Sequence, residues 1–176
     1  MKPSSVLVLP GWQGSGPDHW QTRWEERHGY QRVEQHDWSN PLRGDWIARL
    51  EEVLLDLDEP AVLVAHSLGC ILVAAWAAHS QNASRVKGAL LVAPGDSERP
   101  ELRGALRSWS PIPRDRLPFR SVLVASRNDP YCTYHRAAGF AQAWGSQCID
   151  HGDAGHINAD SHLGSWPEGH VLLQDL

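Results

Sequence analysis

Cysteine is scarce in this chain: three residues in 176, at the wide and unpatterned positions Cys70, Cys132 and Cys148. That spacing gives neither a disulfide framework nor a zinc signature, and it fits a reducing compartment, so a cytoplasmic protein without a bound metal is expected. Basic charge is also short. Sixteen Lys and Arg against 21 Asp and Glu leave a net charge of −5, and the basic residues form no run. Such a balance lacks the footprint of a nucleic-acid binder, and no nucleic-acid partner is expected. Long apolar runs are missing too. The nearest to a membrane segment, Val62–Ala78, is too short to span comfortably and is interrupted by His66 and Ser67. Near the start, Val6–Leu9 ends at Pro10, too brief for the apolar region of a signal peptide. Internal repeats and low-complexity tracts are absent as well.

What is present is a globular composition, 41% hydrophobic and 21% charged, in a length that fits one domain over residues 1–176. Four short runs are continuously apolar: Ser5–Leu9, Ala61–Ala65, Gly88–Ala93 and Ser121–Ala125. Continuous rather than alternating apolarity marks strands covered on both faces, as in a parallel sheet. Arg32–His36 and Gln147–Asp150 are weaker strand candidates. Helical patterns lie between them, at Asp18–Arg27, Trp46–Leu57, Leu68–Ala77, Arg136–Trp144 and Glu168–Leu176. Pro94–Pro118 is the longest irregular connection, with Leu102, Leu106 and Trp109 at helical spacing inside it. Strand and helix in alternation predict an α/β fold, a three-layer α/β/α sandwich with a mainly parallel sheet of about six strands.

The sharpest chemical feature is Ala65-His66-Ser67-Leu68-Gly69, where a buried strand turns into a buried helix. A serine there has its hydroxyl lifted clear of the sheet, beside unpaired N–H groups at the helix start. Small flanking residues are needed because the turn brings backbone close; Ala65 stands where the G-x-S-x-G pattern has its first glycine. The plainer role for Ser67 is an ordinary helix N-cap. A nucleophilic serine needs a base and an orienting acid, in the chain order Ser, Asp or Glu, His. Asp129, in Ser126-Arg127-Asn128-Asp129-Pro130, and His156, in Gly155-His156-Ile157-Asn158, stand in that order, each after a strand. Asp96 is a competing acid, His151 and His162 are competing bases, and His66 is expected to point away from the serine. An oxyanion hole needs two N–H donors; Leu68 and Trp12 are the expected pair, the latter from the glycine-rich loop Pro10–Gly16. Gly11, Trp12 and Trp109 are candidate pocket residues. No phosphate-binding glycine pattern is present, so no cofactor is expected. Cys70 reads as inert core, and most of the nine tryptophans as core anchors.

With these motifs the chain resembles the small α/β-hydrolase-fold serine hydrolases grouped with retinoblastoma-binding-protein-9-like proteins. The match rests on Pro10-Gly11 with His19-Trp20, on Asp37-Trp38 and Pro41, and on the three motifs around Ser67, Asp129 and His156. The late Gly164-Ser165-Trp166-Pro167-Glu168-Gly169 extends it over essentially the whole chain. The resemblance implies a compact hydrolase without a large lid, with Ser67, Asp129 and His156 as nucleophile, acid and base. Animal members bind a pocket protein through L-x-C-x-E; here Leu68 and Cys70 are followed by Leu72 instead of glutamate, so that partner is not expected. Two functions follow for testing. One is a hydrolase of small carboxylic esters, with amides as a second class, acting through an acyl-enzyme. The other is a non-catalytic binding or scaffold protein that keeps the fold.

Overall fold

A computed structural model describes residues 5–176; residues 1–4, which the expected domain includes, lie outside that range. Six strands form one wholly parallel sheet: β1 (Val6–Leu9), β2 (Gln31–Arg32), β3 (Ala61–His66), β4 (Val86–Val92), β5 (Arg120–Ala125) and β6 (Gln147–Asp150). Their spatial order is β2-β1-β3-β4-β5-β6. The chain therefore runs outward from β1 to β2, then returns past β1 and continues in the opposite direction. Right-handed crossovers place helices on opposite faces when the direction reverses. The four helices that connect strands follow that rule. Helix α1 (Trp20–His28) packs on one face with the C-terminal α5 (Pro167–Gln174). Helices α2 (Arg43–Asp56), α3 (Leu68–His79) and α4 (Tyr134–Trp144) cover the other.

Each central strand feeds both layers. Leu7, Leu63, Leu91 and Leu123 pack toward α2, α3 and α4, while Val8, Val64, Val92 and Val124 face Trp20, Trp24 and Trp166. This two-sided burial is why those runs are apolar without alternation. Seven tryptophans are wholly buried, Trp20, Trp24, Trp46, Trp76, Trp109, Trp144 and Trp166. All but Trp166 find an acceptor for the indole N–H, as a buried indole needs.

Two local expectations are corrected. The strand expected at Arg32–His36 pairs only over Gln31–Arg32, because β2 is an edge strand and the chain leaves the sheet after Val33 N–H donates to Val8. The helical spacing of Leu102, Leu106 and Trp109 yields a single turn, Leu106 N–H to the Leu102 carbonyl at 2.8 Å, then a 3-10 turn over Arg107–Trp109. Prolines at 100 and 111 bracket the segment and stop further helix. No helix among the described residues is long and apolar enough to cross a membrane.

Candidate active site

The reversal of direction between β1 and β3 leaves a crevice at their carboxyl ends, the place where open α/β sheets collect ligands. Ser67 sits there, between β3 and α3, at φ 56 and ψ −120. A non-glycine residue in that region is strained by about 1–3 kcal/mol and is held only by its surroundings. The Ser67 N–H donates to the Val92 carbonyl at 3.0 Å, and the Cys70 N–H to the Ser67 carbonyl at 3.0 Å. The small neighbour Gly69 is required sterically. A Cβ on Gly69 would lie 2.3 Å from the Leu9 carbonyl oxygen, so glycine alone lets the start of α3 pass the end of β1.

The His156 ring reaches the serine from the loop after β6. Its Nε2 is 2.8 Å from Ser67 Oγ, and its Nδ1 is 2.9 and 3.0 Å from the two carboxylate oxygens of Asp129. An ionised carboxylate only accepts, so Nδ1 carries the proton and Nε2 presents its lone pair to the serine hydroxyl. Asp129 is fixed in turn by the Tyr131 N–H at 2.9 Å, and its side chain is buried. The loops bearing acid and base are stitched together. Asn128 Oδ1 accepts from the Gly155 N–H at 2.7 Å, and Ser126 Oγ from the Ala154 N–H at 2.9 Å. On the opposite side, the Trp20 indole donates to the Ile157 carbonyl at 2.8 Å.

Two further histidines adjoin the base. His66 Nε2 lies 2.8 Å from the main-chain oxygen of His156; a carbonyl only accepts, so Nε2–H is the donor. His66 thus holds the backbone of the residue that contacts Ser67. Burial keeps its imidazole well below the usual histidine range, assisted by the neighbouring His19 and His156. His19 caps α1, its Nδ1 accepting from the Gln21 N–H at 3.1 Å. Burial first, then His156 and Arg32, push it down to about 3. Both rings are neutral near pH 7.

The glycine-rich loop after β1 packs directly on the serine turn. A Cβ on Gly11 would lie 2.8 Å from Ser67 Cβ and 3.1 Å from the Leu68 nitrogen. Neither the Leu68 nor the Trp12 N–H has an acceptor among the described residues, so both are available to an oxygen at the serine. A cavity of about 410 Å3 opens over Ser67, walled by Gly11, Trp12, Leu102, Leu106, Tyr131 and residues 158–160 among others. Trp109 does not line it, contrary to expectation. It is wholly buried, its indole donating to the Pro41 carbonyl at 3.0 Å and its ring against Trp46. The turn at 107–109 directs it into the core.

The competing residues lie elsewhere. Asp96 binds Arg136 through both oxygens at 2.9 Å. His151 packs on Trp166, and His162 closes the 3-10 turn over Ala159–Ser161. Among the described residues no group of three or more His, Cys, Asp or Glu could hold a metal ion. Burial raises the Cys70 thiol well above its ordinary range and pushes Cys132 up to about 12, which keeps both protonated. The reasoning from sequence missed Gly95, whose Cβ would lie 3.0 Å from Ser67 Oγ, and the walls formed by Leu102, Leu106 and Tyr131. The signal for Tyr131 was its place two residues after Asp129.

A parallel sheet with a serine at a strained strand-to-helix turn, beside the switch point, is the architecture of the α/β hydrolases. The family model described as serine hydrolase matches residues 6–175, and the chain belongs to that family. A protein of Pectobacterium atrosepticum described as a YdeN-like hydrolase is 31% identical, with a TM-score of 0.84 over 97% of this chain and 89% of its own. The ydeN gene product of Bacillus subtilis is 22% identical, with a TM-score of 0.81 over 98% of this chain and 97% of its own. Est1E of Butyrivibrio proteoclasticus, crystallised with ferulic acid, shares the fold at 12% identity, with a TM-score of 0.76 over 98% and 89%. No curated protein sequence matches.

Proposed function

We propose that this protein hydrolyses small carboxylic esters, with amides as a second class, through an acyl-enzyme formed on Ser67. The observation that carries the reading is the continuous chain Ser67 Oγ, His156 Nε2, His156 Nδ1 and Asp129 carboxylate, with every link at 2.8–3.0 Å. Ser67 Oγ attacks the carbonyl carbon while His156 Nε2 takes its proton. The oxygen that becomes negative lies against the Leu68 and Trp12 N–H groups. Preorganised main-chain donors of this kind are worth on the order of 10²–10³ in rate each. The bond from the carbonyl carbon to the leaving group then breaks as His156 gives it the proton, leaving the acyl group esterified to Ser67. Water, its proton taken by His156, attacks that ester, and the acid departs as Ser67 Oγ regains the proton. Asp129 keeps the Nδ1 proton in place and stabilises the imidazolium.

Support for ester chemistry comes from the open cavity at the serine and from esterase-named proteins sharing the fold. Within the family, the nearer affinity we propose is with the retinoblastoma-binding-protein-9-like group, on the motifs quoted above, without its pocket-protein partner. The cytoplasm is the proposed location, on cysteine usage, with a small ester or amide as the ligand rather than nucleic acid. The test is turnover of p-nitrophenyl acetate, with a pre-steady-state burst equal to the enzyme concentration. Ser67→Ala should lose at least about 10³-fold in kcat. A folded wild type that neither turns over short esters nor shows a burst would favour the scaffold reading.

A further inference from the structure

The cavity walls differ in chemistry around the serine. Leu102 and Leu106, from the connection after β4, form an apolar side. Asn158 and Asp160 come from the loop that carries His156. Among the described residues no lysine or arginine lines the cavity. Arg99 pairs with Glu101 at 2.5 Å and Arg103 Nε donates to the Glu98 carbonyl at 3.2 Å, while Arg107, next to Leu106, is exposed and outside the lining. Since His19 and His66 are neutral, Asp160 supplies the wall's formal negative charge.

That carboxylate is uncommitted. The Asp160 main-chain N–H donates to Asn158 Oδ1 at 3.1 Å, but the side chain is exposed and takes part in no hydrogen bond or ion pair with the described residues. The backbone that carries it is held nonetheless, by the Asn158–Ser161 capping box and by the Trp20 indole at the Ile157 carbonyl. On the His156 side the wall also presents Tyr131, whose ring centroid lies 4.7 Å from that of His156. An aromatic face and a free carboxylate attract cations, whereas no described lining residue is a lysine or arginine that would attract an anion.

The direction of reaction tells which part of a substrate meets Asp160. The base that takes the serine proton must hand it to the departing oxygen, so the leaving group leaves on the His156 side of Ser67. Asp160 follows His156 on the same loop. Resting on the reading of Ser67 as nucleophile, we propose that the site prefers esters of cationic alcohols, an amine- or ammonium-bearing leaving group, with an uncharged acyl part against Leu102 and Leu106. Hydrolysis moves the acyl group from the cationic alcohol to water. The alcohol oxygen takes the proton held by His156, and the acid is released as the second product.

The experiment compares three acetate esters: acetylcholine, its uncharged isostere 3,3-dimethylbutyl acetate, and anionic 2-sulfoethyl acetate. At low ionic strength kcat/KM should be about two- to fivefold higher for the cation than for the isostere, the range of a single exposed ion pair. The anion should be the poorest. The advantage should shrink at 0.5 M salt as screening shortens, and Asp160→Asn should bring the cation-to-isostere ratio to about one. A ratio at or below one in the wild type, or a ratio that Asp160→Asn leaves unchanged, overturns the proposal. Binding of choline and of 3,3-dimethylbutan-1-ol to Ser67→Ala, followed by NMR shifts, reads the same preference without turnover. Choline should bind more tightly, and Asp160→Asn should erase the difference. Equal binding overturns the charge preference, whereas an absence of hydrolysis alongside preferential choline binding overturns only the role of Ser67.

Discussion

Gly11→Ala perturbs the closest approach between the loop after β1 and the serine turn. The added Cβ would lie 2.8 Å from Ser67 Cβ and 3.1 Å from both the His66 carbonyl oxygen and the Leu68 nitrogen. Carbon atoms settle at about 3.5–4.0 Å, so loop and turn must separate by about 1 Å. The colliding atom belongs to Ser67 next to backbone, not to the end of a flexible side chain, and a rotamer change cannot relieve it. A misplacement of about 1 Å in reacting geometry costs on the order of 10²-fold, and removing one oxyanion donor costs 10²–10³-fold. We therefore expect kcat on the shortest ester to fall about 100-fold with little change in KM. Overpacking should also cost about 1–3 kcal/mol, lowering Tm by roughly 2–12 °C for a chain of this length. Steady-state kinetics beside a thermal melt measure both. Trp12→Ala provides the contrast: it keeps the main-chain donor but opens the pocket wall, so it should alter acyl-length preference more than turnover of acetate. Wild-type kcat in folded Gly11→Ala would refute the argument that this loop supplies an oxyanion donor.

Asp129→Asn should cripple turnover at neutral pH with the fold intact, because an amide favours the wrong tautomer of His156, whereas Asp96→Asn should loosen Arg136 and leave kcat nearly unchanged. His66→Leu removes the donor to the His156 carbonyl and should cost about 1–3 kcal/mol of stability and lower kcat, with His66→Gln restoring part of both by donating from its amide. Gly69→Ala places a Cβ 2.3 Å from the Leu9 oxygen and should abolish folding or lower Tm far more than Gly104→Ala, where the added Cβ meets open space. The acid limb of the stability curve should be steep. His19 and His66 stay neutral in the folded protein, while the unfolded chain binds their protons below about pH 6.5. Stability is therefore full above that pH and falls toward pH 3, by about 1.4 kcal/mol per pH unit for each group. His19→Asn, which keeps an N-cap acceptor, should flatten that slope in denaturant titrations between pH 6.5 and 4.

The residues that announce the site are those whose chemistry is local. Ser67 stands out because an apolar strand, two small neighbours and a buried helix start are contiguous in sequence, and the Gly69 contact with Leu9 explains why one of those neighbours is glycine. Asp129 and His156 are visible through chain order after strands, which the parallel topology brings to one sheet edge. Contacts set by the whole fold were not legible. His66 meets the His156 carbonyl across 90 positions, and no spacing encodes that encounter. Trp109, a candidate pocket residue on sequence, is pointed at Trp46 instead by one 3-10 turn. The extent of β2 is likewise fixed by what its neighbour β1 offers, not by the composition of residues 32–36.

Reaction of the intact protein with a fluorophosphonate probe, read by intact mass and peptide mapping, tests the central claim most directly. One adduct per chain on Ser67 is expected, absent in Ser67→Ala and formed much more slowly in His156→Ala and Asp129→Asn, because the serine is activated only through that pair. Unchanged labelling of Ser67→Ala, or a folded wild type that takes no label, would contradict it.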